Sequence, residues 1–137
     1  MRDIRFRGWS IQSRTWVFGS LVQGESGPFI STFEGSRKGN DWVIDVTLYK
    51  VSPDSVGQET PFVDDNGKFI YEGDVLDVVF KDGHTQTILV RWRDWSYGFA
   101  FYERNNDCWL YLPYKLDDIS EWYVIGNVFE NNWNRRG

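Results

Sequence analysis

The segment "DDNGKFIYEGDVLDVVF", residues 64–80, places acidic residues and two glycines directly before an alternating apolar run. Three interpretations fit such a segment at first sight. It could be a calcium-binding loop, it could supply a pair of catalytic carboxylates, or it could be the turns that lead into a β-strand. The spacing of its residues discriminates between them.

A calcium loop of the EF-hand type needs oxygen ligands at positions 1, 3, 5 and 12, with glycine at position 6. If Gly67 is position 6, Asp64 and Asn66 occupy positions 3 and 5. Positions 1 and 12 are then Phe62 and Gly73, which offer no side-chain oxygen. The sequence therefore disfavours calcium.

A carboxylate pair is offered by Glu72 and Asp74, which would share a face of a strand and could serve general acid/base chemistry. No histidine, nucleophile or phosphate-binding glycine loop accompanies them. A Glu-Gly-Asp sequence before a strand is typical of a turn, in which Gly73 adopts an unusual backbone angle and Asp74 bonds back to the chain. We therefore expect a structural role.

The third interpretation accounts for the whole segment. "DDNGK" reads as a tight turn, "FIY" as a short strand, "EGD" as a second turn and "VLDVVF" as a longer strand. In the longer strand Leu76, Val78 and Phe80 share one face, opposite Val75, Asp77 and Val79.

Strand patterns recur along the chain. Trp42, Ile44, Val46 and Leu48 alternate onto one face, and further apolar runs are "TILVRW" (87–92), "YGFAF" (97–101) and "WYVIGNVF" (122–129). In the last of these Gly126 predicts a bulge or a close backbone approach. "KDGH" (81–84) predicts a hairpin turn. The segment 114–122 suits one short helical turn.

These patterns predict a mainly β protein, with strand spacing that suits a small barrel or a sandwich. The polar segment "SPDSVGQETP" (52–61) suggests a boundary between an N-terminal region of hairpins and loops, residues 1–52, and a compact unit over 56–137. At the N-terminus, "RDIRFRGW" predicts an edge strand or a subunit contact, with Ile4 and Phe6 facing inward and Arg5 and Arg7 outward. The core expected for the second unit comprises Val75 or Leu76, Val78, Phe80, Ile88, Val90, Phe99, Phe101, Leu110, Val124 and Val128.

The composition limits the functional classes. The 137 residues carry a net charge of −5 with a pI near 4.8, which argues against sequence-independent nucleic-acid binding. The single cysteine, Cys108, excludes a disulfide framework, and no apolar run approaches the ~20 residues of a membrane span. We expect a soluble cytoplasmic protein. The high aromatic content, 8 Trp, 7 Tyr and 10 Phe, together with long strand edges, predicts a homo-oligomer.

One segment keeps nucleic acid in consideration. In "RWRDWSYGF" (91–99) arginines alternate with aromatic rings, as in grooves that bind single strands. The same alternation arises where a strand buries one face and arginine stems cover its edge. The candidate contact residues are Arg91, Trp92, Arg93, Trp95 and Tyr97. His84 and Cys108 lack partners in any catalytic pattern and are expected to be a turn residue and a small buried residue.

Three segments in the same order resemble the YopX-like proteins of phages and prophages. They are "MRDIRFRGW", "VGQETPFVDDNGKFIYEGDVLDV" and "YVIGNVFEN", of which the second carries the family pattern Asn-Gly-Lys-x-Ile-Tyr-Glu-Gly-Asp. The chain departs from the family at "QETPFV" (58–63), which affects one local turn. The motif residues, to which the resemblance assigns a structural role, are Asn66, Gly67, Tyr71, Glu72, Gly73, Asp74, Gly126 and Asn127.

The resemblance implies a mainly β protein with an SH3-like barrel in its C-terminal part, and no catalytic, metal or cofactor residues. We therefore expect a phage or prophage accessory protein that is not an enzyme and binds a host or phage protein in the bacterial cytoplasm. The alternative is a nucleic-acid-binding barrel that uses the arginine and aromatic strand. A membrane partner is not expected.

Overall fold

The computed structural model describes residues 4–93, 98–103, 108–111 and 116–131. The chain forms two compact units, residues 1–58 and 59–137, and both consist mainly of antiparallel strands. Within the described ranges the strands are β1 Phe6–Trp9, β2 Trp16–Gly24, β3 Gly27–Lys38, β4 Asp41–Lys50, β5 Gly57–Val63, β6 Phe69–Tyr71, β7 Asp74–Phe80, β8 Thr85–Arg93, β9 Gly98–Glu103, β10 Cys108–Tyr111 and β11 Ile119–Asn127. A short helix, α1, follows at Val128–Asn131. The predicted mainly β class is confirmed.

In the first unit the strands are ordered β4-β3-β2-β1, and the first residues of β5 pair with β1. Strands β3 and β4 form a long hairpin in register from Phe29↔Lys50 to Lys38↔Asp41. Pairing between β2 and β3 ends at Ser20↔Ser31. Beyond that rung β3 is paired only with β4, so the outer part of the hairpin is a two-stranded ribbon.

The N-terminal strand differs from expectation. Ile4 precedes β1 and is exposed, and Phe6 is only half-buried. Strand β1 is not an edge strand, because it pairs with β2 on one side and with the start of β5 on the other. The alternation of side chains within β1 could not show that the start of β5, residues 57 and 58, would pair with the second edge of β1.

The second unit contains a five-stranded antiparallel sheet in the order β10-β9-β8-β7-β11. The Asp-Gly turn predicted at 81–84 joins β7 to β8, and Gly83 there has φ +94°. Strand β6 pairs with the later part of β5. Among the strands that the structure describes, β10 and β11 are the two edges of this sheet, and the sheet is open. The described strands therefore agree with a mainly β protein and do not form a closed barrel.

The core of the second unit confirms five of the residues expected for it and adds two. Leu76, Val78, Phe80, Ile88 and Val90 cluster with Ile70 and Trp122, which the sequence interpretation did not include. Val124 packs against this cluster, and Val128 is half-buried. Val75 is buried on the opposite face of β7. The side chains of Phe99, Phe101 and Leu110 lie outside the described part of the structure.

The short helical turn expected within 114–122 is present as a 3-10 turn at Leu116–Asp118. The rest of that segment is strand, because β11 begins at Ile119.

Candidate functional site

The acidic turn at the start of the segment 64–80 is closed by one of its own aspartates, Asp64. Asp64 Oδ1 accepts hydrogen bonds from the amides of Asn66 (2.9 Å) and Lys68 (2.8 Å). The Asp64 amide donates to the Lys68 carbonyl at 2.8 Å, and Gly67, with φ +79°, occupies the position that needs a left-handed backbone. This arrangement is an aspartate-closed turn at the end of β5.

The same turn is fastened to β11, far away in sequence. Asp64 Oδ2 accepts from the Val124 amide at 2.9 Å, and Asp65 Oδ2 accepts from the Trp122 amide at 2.8 Å. The Asp65 amide donates to the Trp122 carbonyl, and the Trp122 indole donates to the Val63 carbonyl at 3.0 Å. Because β11 is an edge strand, these bonds satisfy backbone groups that would otherwise be open to another strand.

The environment of Asp64 lowers the pKa of its carboxyl group. Desolvation is the largest single influence and raises that pKa. The amides of Val124, Lys68 and Asn66, together with the charge of Lys68, outweigh desolvation and hold the pKa below its ordinary value. The carboxylate is therefore kept ionised as an acceptor of backbone hydrogen bonds.

The second turn of the segment has the geometry expected from its sequence. Gly73 has φ +92°, and Asp74 Oδ2 accepts from the Tyr71 amide at 2.7 Å. The Gly73 amide donates to the Val90 carbonyl at 2.8 Å, and the Val128 amide donates to the Gly73 carbonyl at 2.9 Å. Asp74 and Tyr71 are buried, whereas Glu72 is half-buried.

The two motif residues near the end of the chain also hold backbone in place. A register shift between Val124 and Gly126 forms the bulge that the sequence predicted. Asn127 Oδ1 accepts from the Glu130 amide at 2.8 Å, and Asn127 Nδ2 donates to Glu130 Oε1 at 2.8 Å. Asn127 thus caps the first turn of α1.

Neither chemical interpretation of the acidic segment gains support from this geometry. Asp64, Asp65 and Asp74 all accept hydrogen bonds from backbone amides, and Tyr71 Oη donates to the buried Glu59 Oε1 at 3.1 Å. Within the ranges that the structure describes, no group of three histidine, cysteine or acidic side chains is placed to hold a metal. Several of the motif residues, among them Tyr71, Gly73, Asp74 and Asn127, take part in hydrogen bonds with backbone groups.

The predicted nucleic-acid contact falls largely outside the described residues. Trp95 and Tyr97 are not described, and for Trp92 and Arg93 only the backbone of β8 is described, opposite Phe99 and Gly98. Arg91 is half-buried and engaged in an interaction. The side chains of four of these five candidate residues therefore lie outside the described part of the structure.

The other two candidate residues are placed as follows. His84 is an exposed turn residue, as expected; its ring stacks on Phe80 with centroids 4.2 Å apart, and its Nδ1 contacts Asp82 Oδ1. Cys108 is the first residue of β10, and its side chain lies outside the described part.

A different feature stands out in the first unit. We call residues 32–47, the part of the β3–β4 hairpin beyond the last β2–β3 rung, the arm. One face carries Phe33, Trp42, Ile44 and Val46, with Leu48 at its base, and these five side chains are between 56% and 70% exposed. We call these five residues the apolar face. Directly paired residues lie on one side of a ribbon, and the pairs Phe33↔Val46, Gly35↔Ile44 and Arg37↔Trp42 define this side.

The opposite side of the arm is mostly polar. It presents Thr32, Glu34, Ser36, Lys38, Asp41, Val43, Asp45 and Thr47. The arm is therefore amphipathic, although within the described residues of the first unit nothing covers its apolar face. Exposed apolar clusters of this kind mark surfaces that contact proteins, membranes or ligands.

A groove of about 380 Å³ lies at the base of the arm. Phe18 and Phe33 contribute rings, Ser20 and Ser31 contribute hydroxyls, and the remaining lining residues are Ile4, Arg5, Gly19 and Thr32. Because Phe33 belongs both to this groove and to the apolar face, the two form one continuous surface. The sequence interpretation placed the four β4 residues on one face but gave no sign that the face would be uncovered.

No helix in the described ranges is both long and apolar enough to cross a membrane. The family model described as YopX protein matches residues 5–133, nearly the whole chain. No curated protein matches the chain. Among solved structures, protein EF1440 from Enterococcus faecalis is similar with 19% sequence identity and a TM-score of 0.61, over 96% of this chain and 97% of that one. At that identity the likeness concerns the fold alone.

Proposed function

Because the chain belongs to the YopX protein family, we propose that it is a phage or prophage accessory protein that acts by binding another protein in the bacterial cytoplasm. The contact is made by the apolar face of the arm. We also propose that it is not an enzyme, and in support Asp74, one of the two carboxylates that the sequence offers for acid/base chemistry, accepts a hydrogen bond from the Tyr71 amide.

The observation that carries this proposal is the exposure of the apolar face. Trp42 is 70% exposed and Phe33 is 67% exposed, on a ribbon whose opposite side is polar. Large aromatic residues are the most frequent hot spots of protein interfaces and are seldom left uncovered together. A surface built for nucleic acid would need a row of cations along it, whereas the middle of this face is apolar and its described cations lie at the margins: Arg37 at the tip, Lys50 at the base and Arg5 in the groove.

The finer architecture that we propose for the second unit is an SH3-like barrel. Strands β7 to β10 follow one another as a meander, and β11 returns beside β7 after the 3-10 turn. Two register shifts in β11 support strong local curvature, which a small barrel requires.

An affinity-capture experiment with matched variants tests the protein-binding function. Ile44→Lys places a charge in the middle of the apolar face, and Thr47→Lys places the same charge on the polar side of the same strand. We expect the wild type and Thr47→Lys to retain the same protein from an extract of bacterial host cells that also express the untagged wild-type chain, and Ile44→Lys to lose it. Equal capture by all three would contradict a role for the apolar face.

A titration with single-stranded DNA and RNA at ~50 mM and ~200 mM salt tests the alternative. We expect no binding at either salt concentration, in keeping with the net charge of −5. Micromolar affinity that weakens steeply with salt, and that is lost in Trp95→Ala, would replace the proposed function with nucleic-acid binding.

A further inference from the structure

We propose that the protein covering the apolar face is a second copy of this chain, and that two arms pack face to face in antiparallel orientation about a two-fold axis. This inference rests on the proposed function, since it names the partner of the same surface. It follows from the geometry of the arm, the position of the groove and the area available.

The arm needs a partner for its own order. From Thr32↔Thr47 to Lys38↔Asp41 it is a ribbon of two strands, and among the described strands of the first unit neither of its edges is paired to a third. Isolated two-stranded ribbons are marginally stable in water, and a hydrophobic face packed against another layer stabilises them. A second arm laid on the apolar face supplies that layer at the ~10 Å spacing of packed sheets.

The surface is complementary to itself in the antiparallel orientation. When the axis passes between the levels of Ile44 and Val46, Ile44 of each copy faces Val46 of the other. Phe33 shares the level of Val46, and Gly35 shares the level of Ile44, so the ring of Phe33 faces Gly35 of the other copy, beside which the six-membered ring of Trp42 lies. The facing levels near the axis are therefore apolar in both copies.

The same orientation brings the tip of each arm beside the groove of the other copy. Trp42 and Leu48 are six positions apart along the strand, which corresponds to ~20 Å, and they face each other across the axis. Leu48 pairs with Ser31, one of the hydroxyl-bearing residues of the groove. Trp42 of each copy thus packs on Leu48 of the other copy, next to a groove of about 380 Å³ that has two aromatic rings.

Charge is compatible with this arrangement. Arg37 pairs with Trp42 at the tip and reaches the level of Ser31 in the second copy, so its guanidinium meets hydroxyl groups. The polar side of the arm, with Glu34 and Asp45 opposite each other, stays in solvent.

The area meets the requirement of a stable dimer. Five large side chains that are more than half exposed offer on the order of 100 Å² each or slightly more. Two copies therefore bury roughly 1,200 Å² in total, which is the lower end of specific interfaces. We expect a dissociation constant in the micromolar range.

Sedimentation velocity between about 1 and 100 µM tests the inference. We expect the wild type and Thr47→Lys to become dimers as concentration rises, and Ile44→Lys to sediment as a monomer throughout. A second variant, Trp42→Ser, changes a residue that is 70% exposed and should raise the dissociation constant at least tenfold without loss of folded signal in circular dichroism. A monomeric wild type at the highest concentration, a trimer or larger ring, or unchanged dimerisation of Ile44→Lys would overturn the inference.

Hydrogen exchange locates the interface independently. In the wild type, the amides of residues 32–48 should exchange more slowly at about 100 µM than at about 1 µM. In Ile44→Lys the same amides should exchange equally fast at both concentrations. A dimer whose arm exchanges equally at both concentrations would place the interface elsewhere and overturn the inference. A wild type that stays monomeric but captures a different protein through Ile44 would overturn it while leaving the proposed function intact.

Discussion

At the scale of single residues, Asp64 holds three backbone amides in two parts of the second unit at once. Asp64→Asn replaces one acceptor oxygen by an NH₂ group that faces the amide of Val124, so that a donor meets a donor. We expect a loss of roughly 1–3 kcal/mol in the free energy of unfolding at pH 7, measured by urea denaturation. Asp82→Asn is the matched control, because Asp82 is an exposed turn residue, and should change stability little. Equal losses in the two variants would contradict the anchoring role of Asp64.

The pKa of Asp64 gives a second, pH-dependent prediction. Its pKa is lower in the folded protein than in the unfolded chain, where aspartate titrates near ~3.9. The carboxylate therefore stabilises the fold above about pH 4, and this contribution is lost as the pH falls through the folded pKa. The difference in unfolding free energy between the wild type and Asp64→Asn should shrink between about pH 5 and pH 2. A difference that stays constant or grows in acid would contradict it.

Gly73 provides a test of the second turn. Its φ of +92° lies where a side chain is strained, and its amide and carbonyl bond to Val90 and Val128. We expect Gly73→Ala to lower the unfolding free energy by roughly 1–3 kcal/mol in urea denaturation. Gly24→Ala is the control and should be close to neutral, since Gly24 lacks a positive φ and an added methyl group would meet no heavy atom within 4 Å. Equal destabilisation by the two substitutions would contradict the special role of the turn at Gly73.

The sequence predicted the turn at Gly73 and Asp74, because a glycine between two acids before a strand is a local pattern with a local cause. It did not predict the hydrogen bonds from Asp64 and Asp65 to β11. Those partners are 60 and 57 positions away, and pattern reading reaches only a few residues. For the same reason Trp122 was missed in the core: its burial depends on the turn at 64–65 and on Phe62, whose ring lies 6.0 Å from its own.

At the scale of elements, alternation predicted which side chains of β4 share a face but not whether anything covers that face. The arm has an apolar face that nothing covers within the described residues of the first unit. The protection of its backbone amides should therefore depend on whether a partner contacts that face. At about 1 µM, where the proposed dimer is dissociated, we expect the amides of residues 34–45 to exchange with deuterium faster than those of β7 and β8, whose side chains form the core around Val78 and Val90. Mass-spectrometric hydrogen exchange measures this directly. Equal protection of the arm and the core strands would show that the ribbon is stable alone and would remove one argument for a partner.

At the scale of the whole molecule, the aspartate-anchored turns hold backbone groups of the second unit, whereas the arm of the first unit carries the exposed apolar face for which we propose a partner. Stability and association should therefore respond to different substitutions. Ile44→Lys should abolish association and leave the urea midpoint of the monomer unchanged within error, because Ile44 is 61% exposed. Asp64→Asn should lower the midpoint and leave the dissociation constant of the folded fraction unchanged. In the double variant the two effects should add, since the two residues belong to separate compact units. Association that weakens with Asp64→Asn, measured by sedimentation under conditions where the variant is fully folded, would show that the acidic turn and the arm act as one site. The separation of a stabilising unit from a binding unit would then be wrong.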